Sequence, residues 1–155
     1  MAKVVVGTDG SPSAQRAVRW ALGEARLRKS PVHIVHAWMV PLLEALPEPW
    51  LIGTPVGHTD DELHDRLAAG AREFLEAAVA EAKAAEPGLD VIGELAEARP
   101  AAALLAAARD ADLLVVGSRG HGGFAGLLLG SVSSQCVHHA PCPVVVVPAE
   151  PAVAG

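Results

Sequence analysis

The chain has 155 residues, 51% of them hydrophobic, enough to bury one sizeable core and too apolar for a disordered segment. Eighteen acidic against twelve basic residues leave a formal net charge of −6, which argues against a nucleic-acid backbone or an anionic membrane as partner. Cys136 and Cys142 make no disulfide framework and read as free thiols of a reducing compartment.

In chain order, KVVVGTD (Lys3–Asp9) is a β-branched run ending in a turn signal, a strand buried on both faces. The opening MAKVVVGTDGS does not read as a signal peptide, and the expectation is a soluble, cytoplasmic protein. Ser11-Pro12 opens a helix, serine as N-cap and proline at the first helical position. Its apolar face carries Ala14, Ala17, Val18, Ala21, Leu22 and Ala25, with Arg16, Arg19 and Arg26 in water. After Ser30-Pro31 comes a second strand, Val32–Trp38. Residues 39–57 hold four of the twelve prolines and no sustained period, so they form a long connection of the functional or mobile kind.

Thr59 or Asp60 caps the next helix, whose buried stripe is expected at Leu63, Leu67, Ala71, Phe74, Ala78 and Ala82 until Pro87-Gly88 stops it. Leu89–Leu95 is a third strand weakened by Gly93, and Pro100–Arg109 a short alanine-rich helix. Leu113–Val116 is a fourth strand, Ser131–Ala140 a fourth helix and Pro143–Val147 a final strand. Strands alternating with helices predict one doubly wound, Rossmann-like α/β domain over residues 1–155, its five-stranded parallel sheet in the order 3-2-1-4-5 with helices on both faces. Ligands of such sheets sit beyond the carboxyl ends of the strands, where the strand order reverses. Asp9, Ala37 and the stretch GSRGHGGFAGLLLGSVSSQC (117–136) follow strands one, two and four.

That stretch holds six glycines in its first fourteen positions and then becomes helical. Glycines let consecutive backbone N–H groups turn inward as an anion nest, and a helix start adds unpaired N–H groups and a favourable dipole. Ser131 could cap this helix or give its hydroxyl to a phosphate or metal. From Asp110 onward the only lysine or arginine is Arg119, so backbone groups must supply most of any attraction for an anion. The P-loop pattern fails because no lysine follows these glycines. Gly120–Ala125 fits a relaxed dinucleotide pattern but lacks the direct helix and the later acidic residue that pattern needs.

The spacing Gly117-x2-Gly120-x9-Gly130-Ser131 resembles the ATP-binding signature G-x2-G-x9-G-[ST] of the universal stress protein family. The resemblance covers nearly the whole chain: VVVGTDGS, VHIVHAWMV, DADLLVVGSRGHGG and CPVVVVP are similar to the family's first, second, fourth and closing strand regions. It implies that Asp9, beside Thr8, accepts hydrogen bonds from the adenosine part of ATP and that the Ala37 backbone faces the adenine edge. It places main-chain groups of Val116 and Gly117 at the ribose. It further implies that Gly117, Gly120, Gly130 and Ser131 hold the phosphates, with Arg119 in the same loop and the Val132 N–H and Ser133 side chain helping at the helix start. Mg²⁺ would bridge phosphate oxygens, and a homodimer would form through Pro143–Val147, at a sheet edge. Many members have a glycine where this chain reads Ala98.

The family reading is a nucleotide-dependent regulatory protein of the stress response, with slow hydrolysis or none. Two rivals stand beside it: an ATPase or nucleotidyl-transferring hydrolase of the same adenine-binding group, and a dimeric interaction module whose glycine loop binds nothing. His33 and His36 read as satisfied structural histidines of opposite facing, and His121 as an exposed loop residue. His138-His139 with the two cysteines is not expected to close a metal site. Trp20 and Trp38 should cover apolar surface, while Trp50 is a lid or a partner contact.

Overall fold

In the computed structural model, which describes residues 2–40, 60–119 and 129–149, the predicted alternation is realised. The elements are β1 (Val4–Gly7), α1 (Pro12–Arg28), β2 (Val32–Trp38), α2 (Asp60–Ala85), β3 (Val91–Glu97), α3 (Pro100–Ala107), β4 (Leu113–Gly117), α4 (Ser131–His139) and β5 (Val144–Val147). Every neighbouring pair is parallel and the order is β3-β2-β1-β4-β5, as expected. The first strand is therefore central, and the chain crosses back over it between β3 and β4.

Alternation along the strands divides the core into two layers. Val4, Val6, Val32, Ile34 and Val115 pack under α1 and α2, against Ala17, Ala21, Leu22 and Leu75. Val5, Val35, Leu114 and Val116 pack under α3 and α4, against Leu104, Ala108 and Cys136. Burial of β1 on both faces explains why it reads as a continuous valine run. Burial also lifts the Cys136 thiol to a pKa of about 11, so it stays protonated at neutral pH.

Several boundaries differ from the sequence reading, each for a local reason. β3 begins at Val91 instead of Leu89, because Leu89 N–H donates to the Glu86 carbonyl and completes the turn after α2. Gly93 does not weaken this strand: a Cβ there would come within 2.9 Å of Val79, so glycine lets α2 lie close against the sheet. α3 stops at Ala107 and ends in a single 3₁₀ turn, Ala108–Asp110. β1 ends at Gly7, although the Thr8 N–H still reaches the Val35 carbonyl at 3.0 Å.

The buried stripe of α2 also shifts. Ala71 and Ala82 are buried as expected and Leu75 joins them, whereas Leu63 is 44% exposed, so the stripe is lost at its N-terminal end. With 26 residues, α2 is about 39 Å long at 1.5 Å per residue, against about 23 Å for a seven-residue strand, so its first turns overhang the strand ends. There His64 reaches the last residue of β3: its Nε2 lies 3.0 Å from both Glu97 carboxylate oxygens, with the Trp38 ring 5.1 Å away. The hydrogen bond to Glu97 raises the His64 pKa above the ordinary 6.5. A raised histidine pKa stabilises the fold below the unfolded value and loses that contribution as pH climbs through the folded value. Glu97→Gln should lower the His64 pKa in an NMR titration, with Asp65 beside the ring still raising it, and remove the Glu97 share of this segment of the stability–pH curve; an unmoved titration would refute the pairing.

Candidate functional site

β1 and β4 are adjacent but are followed by helices on opposite faces, which opens a crevice beyond their carboxyl ends. On the β1 side the chain turns at Thr8-Asp9-Gly10. Gly10 has φ +81°, a left-handed conformation that suits glycine, and a Cβ there would press within 3.1 Å of Phe74. Asp9 is exposed, and its Oδ1 accepts the Ser11 N–H at 2.9 Å. The helix cap itself is Ser11, whose Oγ accepts the Ala14 N–H at 3.2 Å. Asp9 thus shapes the turn that leads into α1 without being its cap.

The β2 side contributes Ala37. Thr8 N–H to Val35 O is the last bond from β1 to β2, and peptide groups in a parallel ladder alternate sides, so those of Ala37 face the space where β1 has already turned away. Next to it the His36 Nδ1–H donates to the Thr8 carbonyl at 3.0 Å while the ring lies 4.5 Å from that of Phe74. His33 points to the other face and pairs with Glu94. Both histidines have structural partners.

On the β4 side Val116 is buried in the core, so only its backbone can reach the crevice. Gly117 permits a close approach: a Cβ on it would stand 2.2 Å from Ser13 Oγ and 2.9 Å from the Ala14 nitrogen. Ser118 is the junction. Its N–H donates to the Val147 carbonyl at 2.9 Å, and its carbonyl accepts the Gly130 N–H at 2.7 Å and the Ser133 hydroxyl at 2.9 Å. Arg119 is tied to the start of α1, its N–H donating to Ser13 Oγ at 3.3 Å and its carbonyl accepting from Ser11 Oγ at 3.4 Å. The two ends of the glycine stretch are thereby clamped together.

Of the two roles open to Ser131, that of cap falls to Gly130. The N-cap is Gly130 and Ser131 is the first helical residue, exposed at the crevice. Gly130 has no side chain to cover the first-turn N–H groups of Ser131, Val132 and Ser133, which point out of the helix start. The buried Ser133 hydroxyl is directed to the Ser118 and Gly130 carbonyls.

Thr8, Asp9, Ala37, Val116, Gly117, Arg119, Gly130, Ser131, Val132 and Ser133 therefore all lie at the carboxyl end of the sheet. Gly120, His121, Trp50, Thr59 and most of 39–57 fall outside the described residues. Among the described residues no three His, Cys, Asp or Glu side chains could hold a metal together. Sequence reasoning missed Ser13 and Ser118, since a serine in a first helical turn or beside a glycine carries no mark of a long-range partner.

Three comparisons bear on this site. The universal stress protein family model matches residues 1–148. Universal stress protein Rv2623 of Mycobacterium tuberculosis is 39% identical over 150 residues, which are 97% of this chain and 48% of that protein. The chain spans about half the length of the curated relatives it matches. A solved universal stress protein in complex with cAMP shares 30% identity at TM-score 0.65, covering 96% of this chain and 98% of that one. The universal stress protein from Archaeoglobus fulgidus in complex with dAMP shares 26% at TM-score 0.66, with 95% and 98% covered.

Proposed function

The chain belongs to the universal stress protein family, and we propose that it binds an adenine nucleotide, ATP with Mg²⁺, in the crevice between the ends of β1 and β4. The reading rests above all on one arrangement: a glycine-capped helix start clamped to the end of β4 by the 2.7 Å bond from Gly130 N–H to Ser118 O, at the same end of the sheet as the β1 turn that carries Asp9. It is supported by the adenine nucleotides named with two structural neighbours, cAMP and dAMP.

In this reading the adenine edge meets the Ala37 peptide groups and the Asp9 carboxylate, beside Thr8, accepts from the sugar. Val116 and Gly117 offer backbone to the ribose. The phosphates lie against Gly117, Arg119, Gly120, Gly130 and the first-turn N–H groups of Ser131, Val132 and Ser133. That donor set fits a polyphosphate: neutral N–H and hydroxyl groups at a helix start, where the helix dipole favours negative charge. Mg²⁺, which the exposed Ser131 hydroxyl would help to hold, would supply charge neutralisation at the phosphates. Among the described residues of the set there is no histidine or lysine to act as a general base, and in this reading the protein works as a regulatory stress-response protein with slow hydrolysis or none, its conformation and partner choice following occupancy.

Thermal melts with ATP and Mg²⁺ test this. A ligand at a hundred times its Kd adds about 2.7 kcal/mol, or about 5–10 °C for a chain of this size. GTP should give much less. No shift at millimolar ATP, with no nucleotide copurifying by mass spectrometry, would leave the interaction-module reading in its place; steady Mg²⁺-dependent phosphate release would favour the enzyme reading.

Self-association belongs to the same proposal. β5 stands at the sheet edge, with Leu114 N–H donating to the Pro143 carbonyl and Ser118 N–H to the Val147 carbonyl. Peptide groups of Val145 and Val147 thus face β4, and those of Val144 and Val146 face the open side. A second copy pairing there would use exactly the outward set.

Val146→Pro deletes an outward donor without touching the β4 ladder, and a proline is tolerated at an edge. Light scattering should give a dimer mass for the parent and a monomer mass for this variant. An unchanged mass, or a monomeric parent, would remove the edge-pairing reading.

A further inference from the structure

The crevice and the β5 edge share one side chain. Ser13, the second residue of α1, is only 2% exposed, and its hydroxyl accepts the Arg119 N–H at 3.3 Å and donates to the Val147 carbonyl at 3.5 Å. The same Val147 carbonyl accepts the Ser118 N–H, and the Ser118 carbonyl accepts the Gly130 N–H and the Ser133 hydroxyl. An unbroken chain of hydrogen bonds therefore runs from the first turn of α4, through both ends of the glycine stretch, to the last residue of the edge strand. A second tie lies alongside, Arg16 Nη1 donating to the Pro148 carbonyl at 2.7 Å. Ser13 has little latitude within this chain, because a Cβ on Gly117 would already lie 2.2 Å from its Oγ.

We infer that Ser13 is a positioning residue that couples occupancy of the crevice to the β5 edge, so that nucleotide binding and pairing of a second copy along β5 are thermodynamically linked. The inference rests on the nucleotide and edge-pairing readings and adds the regulation that joins them. A phosphate engaging the N–H groups of α4 fixes Gly130 and, through it, Ser118. Ser118 and Arg119 both bear on Val147, one directly and one through the Ser13 hydroxyl. Ordering the end of β5 holds the outward peptide groups of Val144 and Val146 in strand geometry, which is what a pairing strand needs. The coupling must be reciprocal: whatever factor ATP adds to dimer affinity, the dimer adds to ATP affinity.

The test measures the dimer dissociation constant by sedimentation and the ATP affinity by calorimetry, on the full chain with and without Mg²⁺ and ATP. For the parent, ATP should tighten the dimer about 5-fold or more, within the usual range of coupling, and slow NMR amide exchange at Val144 and Val146. For Ser13→Ala both constants should remain measurable, ATP should still slow exchange in the first turn of α4, and its effect on the dimer constant should shrink markedly, the direct Ser118–Val147 bond carrying what remains. A merely structural role for Ser13 would weaken the dimer equally with and without ATP.

If calorimetry records ATP binding while the parent dimer constant ignores it, the coupling is overturned and the nucleotide reading stands. If no ATP binds, both fall. If Ser13→Ala keeps the full ATP effect, Ser13 is not the link. Should that variant fail to fold, Ser13→Gly replaces it, and the parent measurement by itself can still overturn the coupling.

Discussion

Gly117→Ala should lower thermal stability more than any other glycine-to-alanine change outside the glycine stretch, and Gly117→Val should prevent stable folding. The added Cβ would lie 2.2 Å from Ser13 Oγ and 2.9 Å from both the Ala14 nitrogen and the Ser13 carbonyl carbon. Two of those atoms are backbone at the start of α1, so relief means moving a helix away from the central strands. Overpacking of this kind costs about 1–3 kcal/mol, or about 3–10 °C for a domain of this length.

Gly23→Ala is the control. Nothing lies within 4 Å of a Cβ at that position of α1, and alanine should add about 0.5–1 kcal/mol there. Calorimetric melts of the two variants check the pair. Equal midpoints would mean that the approach of α1 to β4 is looser than the structure has it.

This contrast alters what the opening glycine means. Gly117 reads in sequence as the first element of a phosphate-binding spacing, yet its immediate physical demand is contact with Ser13, a residue 104 positions earlier. Loss of nucleotide binding in a Gly117 variant would therefore report on the fold before it reported on the ligand. Gly130, at φ −74°, has an extended backbone conformation that any residue adopts, and it caps α4 with no side chain over the N–H groups.

The elements were legible because each carries its own signal. Valine runs bounded by turn residues mark the strands, and Ser11-Pro12 marks a helix start. The crossover logic of a parallel sheet then orders them. What stayed hidden depends on atoms far apart in sequence. Gly93 looked like a defect in β3 until Val79 and Leu75 of α2 were seen against it. Leu63 fitted the helical period of α2, but the period says nothing about where the sheet beneath the helix ends. The residues at the strand ends were legible as candidates, since the fold itself carries them there. Their hydrogen-bond partners were not: the Ser13, Ser118 and Val147 junction joins four elements through a hydroxyl and backbone groups that no local pattern announces.

Asp9→Asn should weaken ATP binding about 10–150-fold while leaving the ligand-free melt nearly unchanged. The reasoning turns on separating two duties of one carboxylate. Its Oδ1 accepts the Ser11 N–H at 2.9 Å and so shapes the turn into α1. In the proposed function the carboxylate also accepts from the nucleotide sugar.

Asparagine keeps a carbonyl oxygen for the turn, but it gives up the charge and replaces one oxygen by a donor. Losing a hydrogen bond to a charged group costs about 1.5–3 kcal/mol, which is the fold-change above. Asp9→Ala removes both duties. It should add a stability loss of about 0.5–2 kcal/mol, the range for losing a capping-type bond at a helix start. Calorimetry with Mg²⁺ and ATP, beside melts of the ligand-free proteins, separates the cases. Parent-like affinity in the asparagine variant would take Asp9 out of the binding set, and matched losses of stability and affinity in both variants would reduce it to a turn residue. A binding loss without a stability loss is the signature of a carboxylate whose charge serves the sugar in addition to the turn.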